Sequence, residues 1–338
     1  MKVVVDIYGG DNAPREIIAG CIEAMRKNKG FDIVMAGNAA EIKILLKDYP
    51  IDDYSRIEIC DAQEVITNYD VPTAAIRNKK NSSLVVALEK TKSDKDCIGM
   101  VSAGSTGAVL TGAFLKIGRI KGIQRPALAP ILPTVKGGDV VLIDCGANVD
   151  CKANMLVQFA FMGNAYAKTM LNIEKPRIAL LSNGTEDKKG NVLTQEAFKL
   201  LKQTELNFVG NMEAREIISG DYDVVVSDGF SGNIALKSLE GAVLSLMSLI
   251  KAEIMTNLKT KIAGSMLKKN FNNIARKMDY NKLGGAPFLG VEKIVIKSHG
   301  TSKAESIYGS IMQVVNMHKN NLVSNLTNEL PLKTEQTE

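Results

Sequence analysis

The sequence has no tryptophan, and aromatic residues make up only 5% of its 338 residues. Proteins that bind single-stranded nucleic acid usually stack bases on aromatic side chains, so this composition argues against a nucleic-acid partner. Histidine is scarce too, with only His299 and His318, and the five cysteines form no recognisable zinc-binding spacing with them. We therefore expect no metal site, and we expect reduced, mostly buried cysteines.

Long hydrophobic runs and nucleotide-binding motifs are also missing. No apolar run approaches the roughly 18 residues of a transmembrane helix, and the start, Met-Lys-Val-Val-Val-Asp, is typical of a strand rather than a signal peptide. No Gly-x-Gly-x-x-Gly follows the first strand, and there is no P-loop. These absences predict a cytoplasmic protein that uses no nucleotide or other cofactor.

Six times along the chain, a short β-branched apolar run passes into a polar loop and then into a helix-like stretch. The six transitions lie at residues 3–12, 98–107, 140–150, 178–191, 224–233 and 294–302. Such alternation is typical of a mostly parallel sheet with crossover helices, and it predicts a three-layer αβα fold. Loops that leave the carboxyl ends of parallel strands share one edge of the sheet, where ligands bind. We expect the chemistry at this edge.

The chain has no internal repeat and no linker rich in proline or glycine. We expect a single α/β domain over residues 1–324 with two intertwined lobes, followed by a polar, disordered tail at 325–338. The segment from about 240 to 282 has the pattern of almost continuous helix, broken at Gly264-Ser265. It is expected to protrude from the domain as a helical hairpin.

Positive charge is concentrated in this predicted hairpin, although the whole chain carries only +5. Residues 251–282 contain eight Lys or Arg and two acidic residues. An apolar stripe with basic flanks suits contact with an anionic membrane or an acidic protein, and a helix pair buried in a dimer is the alternative. The residues predicted to dock in this way are Leu258, Ile262, Met266, Leu267, Lys268 and Lys269.

Two of the six loops are well equipped to bind an anion. The first combines glycine for close approach, a lysine charge and asparagine for orientation, although it could also be an ordinary exposed loop. Its candidate residues are Gly184, Thr185, Lys189 and Asn191. The second makes a tight turn from strand to helix, for which an N-cap provided by Ser231 or Asn233 is the structural alternative. Its candidate residues are Asp228, Gly229, Ser231 and Asn233.

His299 follows directly after a strand, in the segment Lys-Ser-His-Gly-Thr-Ser. Isolated histidines are usually structural, but this one lies at the edge where the other loops are expected to meet. We therefore treat it as a candidate ligand-contacting residue, whereas His318 lies in the last predicted helix.

Taken together, these loops resemble the phosphate acyltransferase (PlsX) family of bacterial phospholipid synthesis. The resemblance extends over nearly the whole chain, and nine motifs in the same order make it specific although each is weak alone. The motifs are residues 5–14, 101–108, 125–127, 144–150, 189–191, 208–211, 228–233, 284–290 and 297–302. Tyr8 stands where the family usually has methionine, at a position that need not contact the chemistry.

The resemblance implies a fold similar to that of isopropylmalate dehydrogenases and phosphotransacetylases, and a homodimer. It also implies transfer of a long-chain fatty acyl group from acyl carrier protein to inorganic phosphate, giving an acyl phosphate for a membrane glycerol-3-phosphate acyltransferase. Phosphate is already a nucleophile and a thiolate leaves readily, so strong acid or base help is dispensable. The site must instead supply charge, positioning and oxyanion stabilisation.

Within this reaction, Lys189 is the predicted phosphate clamp, and Asn233 and His299 are predicted donors to phosphate or to the developing oxyanion. Asp228 is expected to fix its turn, because a carboxylate would repel phosphate. The other residues predicted to line the phosphate or acyl-donor site are Gly10, Asn12, Ser105, Thr106 and Asn148. No Ser-His-Asp or Cys-His pairing is evident, which favours direct attack by phosphate over an acyl-enzyme.

Three alternatives stay open at this stage. A short-chain phosphotransacetylase would share the reaction but take its acyl group from coenzyme A. A non-catalytic scaffold at the membrane surface would keep the basic hairpin, but it would not need the loops of Lys189 and Asp228. A metal-dependent hydroxyacid dehydrogenase shares the related fold, but neither a carboxylate cluster nor a dinucleotide motif supports it.

Overall fold

The computed structural model describes residues 1–51, 53–277 and 284–330. The predicted α/β class, with parallel strands and crossover helices, is confirmed. One feature differs, because the strands form two sheets, of seven and five strands, where the sequence predicts one. The six strand-to-loop transitions are accordingly divided between the two sheets.

The first sheet is parallel over five strands and antiparallel at one side. In spatial order its strands are β3 (Ile57–Asp61), β2 (Asp32–Gly37), β1 (Lys2–Asp6), β4 (Cys97–Ser102), β12 (Ile294–Lys297), β11 (Ala286–Leu289) and β5 (Ala127–Leu128). Strand β11 runs antiparallel to both of its neighbours. The carboxyl ends of β1, β4 and β12 therefore lie side by side at one edge.

The second sheet is parallel apart from its first strand. Its spatial order is β6 (Ile131–Pro133), β7 (Asp139–Ile143), β10 (Val224–Val226), β8 (Ile178–Ser182) and β9 (Phe208–Glu213). Strand β6 pairs antiparallel with β7. The loops after β7, β10 and β8 thus leave the same edge, with the β10 loop between the other two.

Eleven helices are present among the described residues. They are α1 (Arg15–Lys27), α2 (Ala39–Leu45), α3 (Pro72–Asn78), α4 (Ser83–Ser93), α5 (Thr106–Gly112), α6 (Ala153–Leu171), α7 (Val192–Leu201), α8 (Gly229–Ile254), α9 (Leu258–Lys277), α10 (Ala304–Lys319) and α11 (Leu322–Glu329). A π-helical stretch, Ala113–Ile117, continues α5.

The first sheet is covered by helices on both faces because its buried strands alternate their side chains between two cores. Val3 and Val5 pack with residues of α1 and α10, whereas Val4, between them, packs with residues of α4 and α5. Val141 and Ile143 of the second sheet join the same core as Val3, together with residues of α6. This shared core holds the two sheets in one layered body.

The two sheets meet at Leu128, where the chain passes from the first sheet to the second. Leu128 pairs with Phe288 of β11, and its carbonyl oxygen accepts a hydrogen bond from the backbone N–H of Cys145, just after β7 (3.0 Å). The chain later returns to the first sheet at β11 and β12. The carboxyl ends of β4 and β12 are thereby placed opposite the carboxyl end of β7.

Helices α8 and α9 occupy the segment of the predicted hairpin, but the predicted break at Gly264-Ser265 is wrong. Gly264 and Ser265 lie inside α9, and the helices are interrupted at residues 255–257. The side chain of Asn257 accepts a hydrogen bond from the backbone N–H of Thr260 (3.0 Å), which favours a new helix start there. A single glycine inside a helix costs only about 1 kcal/mol relative to alanine, so Gly264 does not end α9.

Most of α8 and α9 lies outside the folded core. Leu244 and Leu249 of α8 are 72% and 65% exposed, and Leu258 and Met266 of α9 are 73% and 80% exposed. Contrary to the expectation from the sequence, α8 is long and apolar enough to cross a membrane by length and composition. Residues 278–282 of the predicted hairpin lie outside the described residues.

The folded chain continues beyond the predicted boundary at residue 324. Helix α11 extends to Glu329, with Leu326 buried against the main core. The side chain of Glu329 accepts hydrogen bonds from Asn164 (2.6 Å) and Lys168 (3.0 Å) of α6. The first part of the predicted tail is therefore ordered helix, and residues 331–338 lie outside the described residues.

Candidate active site

A cleft of about 210 Å³ lies where the carboxyl ends of the two sheets face each other. It is smaller than the roughly 300–1,000 Å³ of a site for a drug-sized ligand, so it suits a small anion and the reacting end of a larger donor. The cleft is lined by the loops after β4, β7 and β12 and by α8. Its polar and charged side chains include Thr106, Asn233, Lys237, Glu240, Lys297 and His299.

Asn233 reaches the cleft because α8 begins immediately after β10. The Asp228 carboxylate caps the helix by accepting a hydrogen bond from the backbone N–H of Ser231 (2.8 Å). Gly232 lets the first turn pack closely on the β7 loop, since a Cβ there would lie 2.1 Å from the Asp144 carbonyl oxygen. The predicted N-cap alternative is thus correct for this loop, although Asp228, and not Ser231 or Asn233, provides the cap.

The loop after β7 is held by the buried carboxylate of Asp144. This carboxylate accepts hydrogen bonds from the backbone N–H groups of Leu128 (2.9 Å), Ala147 (3.1 Å) and Asn148 (2.6 Å) and from the Asn148 side chain (2.9 Å). The Asn148 amide also donates to the Pro126 carbonyl oxygen (2.8 Å). Asn148, a predicted substrate-binding residue, therefore uses its donors inside the protein and positions the loop.

Lys297 is the last residue of β12, and its ammonium group lies in a largely desolvated part of the cleft. It donates to the carbonyl oxygens of Ala103 (3.4 Å) and Ser298. Burial, reinforced by the nearby charge of Lys237, lowers the pKa of Lys297 to about 8, although Asp11 and Asp6 act in the opposite direction. The cleft therefore contains a cation that is easily deprotonated, and a nearby negative charge would stabilise its protonated form.

His299 lines the cleft two residues further along the same loop. Its Nδ1 accepts a hydrogen bond from the backbone N–H of Thr301 (3.3 Å) and lies 2.9 Å from the Thr301 hydroxyl. With Nδ1 as acceptor, the neutral ring carries its proton on Nε2 and can donate from there. Partial burial and the neighbouring Lys237 and Lys297 lower the pKa of His299, which favours this neutral form.

The predicted residues of the β1 and β4 loops have different surroundings. Asn12 donates from its side chain to the carbonyl oxygens of Thr301 (3.0 Å) and Ser302 (3.2 Å), so it braces the His299 loop. Gly10 has φ +98° and packs where a Cβ would lie 2.9 Å from the Gly300 carbonyl oxygen. Ser105 precedes α5 at the N-cap position without a side-chain cap, and of this group only Thr106 lines the cleft.

Three further predicted residues meet at a second, open cavity of about 430 Å³ beside the β10 loop. Asn191, Asp228 and Ser231 line it. Asn191 also caps α7, because its side chain accepts from the backbone N–H of Thr194 (2.9 Å). Gly229 is buried beside this cavity and donates its N–H to the Asn148 carbonyl oxygen (2.7 Å). The Asn191 and Asp228 side chains thus serve the starts of α7 and α8 rather than the cleft.

Lys189 lies outside the cleft lining, on the loop after β8. Strand β8 is two strands away from β7, which corresponds to about 10 Å. The Lys189 side chain is half exposed, and its Nζ lies 4.0 Å from a carboxylate oxygen of Glu186. Gly184 packs against the Lys189 side chain, while Thr185 is exposed. The structure therefore brings Asn233 and His299 together but leaves Lys189 separate from them.

Sequence reasoning missed two lysines of the cleft, Lys237 and Lys297. A signal existed for each, because Lys237 lies four residues after Asn233 on one face of α8 and Lys297 begins the motif that contains His299. The sequence does not reveal the desolvation of Lys297 or the charged neighbours of either lysine, which depend on the meeting of the two sheets. Among the described residues, no group of three His, Cys, Asp or Glu side chains could hold a metal ion.

The cleft offers donors and cations rather than a nucleophile. The Cys145 thiol lies in the lining, but burial raises its pKa well above the usual range, and its Sγ lies 3.6 Å from the Gly232 carbonyl oxygen as a donor. The Ser298 hydroxyl pairs with the Ser310 hydroxyl (2.7 Å). Such an arrangement favours binding and orienting an anionic reactant over forming a covalent enzyme intermediate.

Known proteins match this sequence over nearly the whole chain. The family model described as fatty acid synthesis protein matches residues 1–325. The phosphate acyltransferase of Clostridium tetani is 47% identical over 330 residues, covering 98% of each chain. That of Clostridium acetobutylicum is 46% identical over 330 residues, covering 98% of this chain and 99% of the relative.

Solved structures with a similar fold are more distant in sequence. A phosphotransacetylase from Streptococcus pyogenes matches with a TM-score of 0.59 at 21% identity, covering 96% of this chain and 94% of that one. A branched-chain phosphotransacylase from Enterococcus faecalis matches with a TM-score of 0.56 at 12% identity, covering 97% and 99%. At these identities the likeness concerns the fold alone, and it confirms the predicted similarity to phosphotransacetylases.

Proposed function

The chain belongs to the phosphate acyltransferase family, and we propose that it transfers a long-chain fatty acyl group from acyl carrier protein to inorganic phosphate. The product is an acyl phosphate that a membrane glycerol-3-phosphate acyltransferase consumes in phospholipid synthesis. The observation that carries the proposal is the cleft between the two sheets, where Asn233 and His299 converge beside two lysines. This set of groups suits an anionic nucleophile and an oxyanion.

In the proposed reaction, a phosphate oxygen attacks the carbonyl carbon of the thioester. The new carbon–oxygen bond forms as the carbonyl oxygen becomes an oxyanion, which the Asn233 amide and the His299 Nε2–H can stabilise as donors. Collapse of this intermediate breaks the carbon–sulfur bond and releases the carrier thiolate. The protonated, buried thiol of Cys145 supports direct attack, because an acyl-enzyme would need an activated nucleophile.

Lys189 is proposed to contact phosphate from the outer side of the cleft, with Gly184, Thr185 and Asn191 shaping its loop. Binding of phosphate by Lys189 would break only one long contact, that between its Nζ and the Glu186 carboxylate (4.0 Å). Most of the other candidate residues act through the loops they hold, namely Asp228, Gly229, Ser231, Gly10, Asn12, Ser105 and Asn148. Thr106 differs from them, because it lines the cleft and can donate its hydroxyl group to the substrate.

The identity of the acyl donor is tested by comparing thioesters of acyl carrier protein and of coenzyme A with matched acyl chains. Release of free thiol is followed with and without phosphate. We expect phosphate-dependent release, with kcat/KM highest for long-chain acyl carrier protein. Preference for short-chain coenzyme A thioesters would instead assign the chain to the phosphotransacetylase activity, and no release from any donor would leave only the scaffold alternative.

The proposed assembly is a homodimer in the cytoplasm whose α8 and α9 region also contacts the membrane surface. Apolar side chains are exposed on both helices, and large apolar patches on a soluble surface usually mark an interaction site. These side chains therefore support a partner that buries them. The basic residues of α9, including Lys268 and Lys269, support attraction to anionic lipids or to an acidic carrier protein.

A further inference from the structure

The lining of the cleft contains two lysines, Lys237 and Lys297, to which the proposed reaction assigns no role. Lys237 projects from α8 and pairs with Glu240 (2.7 Å). Lys297 forms no ion pair with any carboxylate in the described part of the chain, and its protein partners are two backbone carbonyl oxygens. A carbonyl oxygen carries only a partial charge, so the ammonium group of Lys297 is solvated but not neutralised.

The charged groups around Lys297 do not neutralise its ammonium group. Lys237 on α8 adds positive charge, the lowered pKa of His299 favours its neutral form, and Glu240 is engaged by Lys237. On the β1 side, Asp11 and Asp6 attract Lys297 from a distance. Asp6 is buried with a raised pKa, and one of its oxygens accepts from the Ser102 hydroxyl (2.7 Å).

The remaining polar groups of the cleft are suited to an anion as well. The Asn233 amide, the Thr106 hydroxyl and the His299 Nε2–H can donate hydrogen bonds without adding negative charge. Glu240 is the one carboxylate in the cleft lining among the described residues. Two ammonium groups and several neutral donors therefore face a small, partly desolvated space, in which a doubly charged anion would relieve the repulsion between the lysines.

We propose that inorganic phosphate binds between Lys237 and Lys297, with Lys297 as the principal cation of the site. The proposal rests on the proposed function, and it adds two cations of the cleft lining, Lys237 and Lys297, to the proposed contact from Lys189. A phosphate held there lies beside Asn233 and His299, the donors assigned to the oxyanion. The nucleophile and the oxyanion donors would thus be positioned by the same cleft.

Binding of phosphate at this site should depend on pH in a defined direction. The bound anion favours the protonated form of Lys297, whose pKa is about 8 in the free protein. Above pH 8 the free protein loses this proton, while phosphate keeps its double charge. We therefore expect phosphate affinity to fall as pH rises from 8 towards 10.

The test is calorimetric titration of the full chain with inorganic phosphate, in the absence of any acyl donor. We compare Lys297→Met with Lys293→Met, because Lys293 lies just before the same strand, is half-buried and donates to the Cys97 carbonyl oxygen (2.7 Å) outside the cleft. Wild type and Lys293→Met should bind phosphate alike. Lys297→Met should bind at least about tenfold more weakly, as expected for the loss of one charge-assisted hydrogen bond.

Lys297→Arg provides the second variant, since arginine stays charged across this pH range. The phosphate affinity of Lys297→Arg should stay constant above pH 8, whereas that of the wild type should fall. This comparison of pH profiles tests the site even if Lys297→Met does not fold. Unchanged phosphate binding by folded Lys297→Met would overturn the proposal. A raised KM for acyl carrier protein with unchanged phosphate binding would also overturn it, by assigning Lys297 to the phosphodiester of the donor.

Failure of the proposed function would be recognised separately. Phosphate binding is measured without turnover, so Lys297-dependent binding by a protein that makes no acyl phosphate from any donor would support the site and reject the reaction. Conversely, wild-type acyl phosphate formation by Lys297→Met at unchanged KM for phosphate would support the reaction and reject the site.

Discussion

At the scale of single residues, side chains of the same type have very different surroundings in this structure. Lys297 is largely desolvated beside another cation, whereas Lys189 is half exposed on a loop two strands away. Desolvation makes a buried charge sensitive to its neighbours, while solvent screens an exposed one. The two lysines should therefore contribute differently, Lys297 to holding phosphate and Lys189 to an outer contact.

Replacing Lys189 with alanine tests that outer contact. We expect acyl phosphate formation to be lost while the fold persists, because an exposed lysine with a 4.0 Å contact to Glu186 contributes at most about 0.5 kcal/mol to stability. Lys188→Ala is the control, since Lys188 is an exposed lysine of the same loop. Activity is followed by thiol release and folding by the thermal midpoint. Full activity in Lys189→Ala would remove this residue from the site.

Part of the candidate site could be predicted from the sequence and part could not. Asn233 and His299 lie just after strands in polar loops, and that position alone indicates the carboxyl edge of a parallel sheet. Lys297 was missed because a lysine at the end of a strand has no local sign of burial. The sequence predicts a substrate role for Asn148, whereas its side chain donates to Asp144 and Pro126 in the structure. No local sequence pattern encodes those two contacts.

At the scale of elements, the start of α8 determines where Asn233 and Lys237 are placed. Asp228 caps this helix through the backbone N–H of Ser231, and Gly232 seats its first turn on the β7 loop. A helix that frays at this end would displace both cleft residues together. The capping carboxylate therefore affects activity without contacting the substrate.

Substitutions at Asp228 separate capping from substrate contact. Asp228→Ala should lower the free energy of unfolding by about 1 kcal/mol, because it leaves the backbone N–H of Ser231 without its partner. Activity should fall with it. Asp228→Asn keeps a good N-cap and should retain both stability and activity, measured by urea unfolding and by thiol release. A stable but inactive Asp228→Asn would indicate that the carboxylate itself contacts the substrate.

The helices also show where local sequence signals mislead. Gly264-Ser265 looked like a break because glycine has low helix propensity, yet α9 runs through it. The actual interruption at residues 255–257 coincides with the side-chain cap from Asn257, a weaker signal in the sequence. The predicted transitions at 3–12, 98–107 and 294–302 coincide with the ends of β1, β4 and β12, because strands that are buried on both faces produce continuous apolar runs.

At the scale of the whole molecule, two sheets joined at one corner create the cleft. Asp144 connects the two sides of that joint, because its carboxylate accepts hydrogen bonds from the backbone N–H of Leu128 at the end of the first sheet and from the loop after β7 in the second. The sequence indicated one sheet edge, since local patterns do not tell which strands are neighbours. A cleft between two edges follows only from the strand order.

The α8 and α9 surface is the other feature at this scale. Reversing two charges with Lys268→Glu and Lys269→Glu should weaken binding to anionic liposomes, by about 1 kcal/mol for each basic residue near the membrane surface. The control carries the same change of charge at Lys188→Glu and Lys199→Glu, two exposed lysines of the β8 loop and α7. Binding is measured by co-sedimentation. Equal binding by both double variants would contradict membrane contact through α9.

The central claim is that phosphate attacks the thioester directly in the cleft, and a single-turnover experiment tests it. Enzyme in excess is mixed with long-chain acyl carrier protein without phosphate, and both thiol release and protein-bound acyl groups are measured. We expect neither until phosphate is added, after which thiol and acyl phosphate should appear together in equal amounts. Thiol release with a covalent acyl-enzyme before phosphate is added would contradict direct attack.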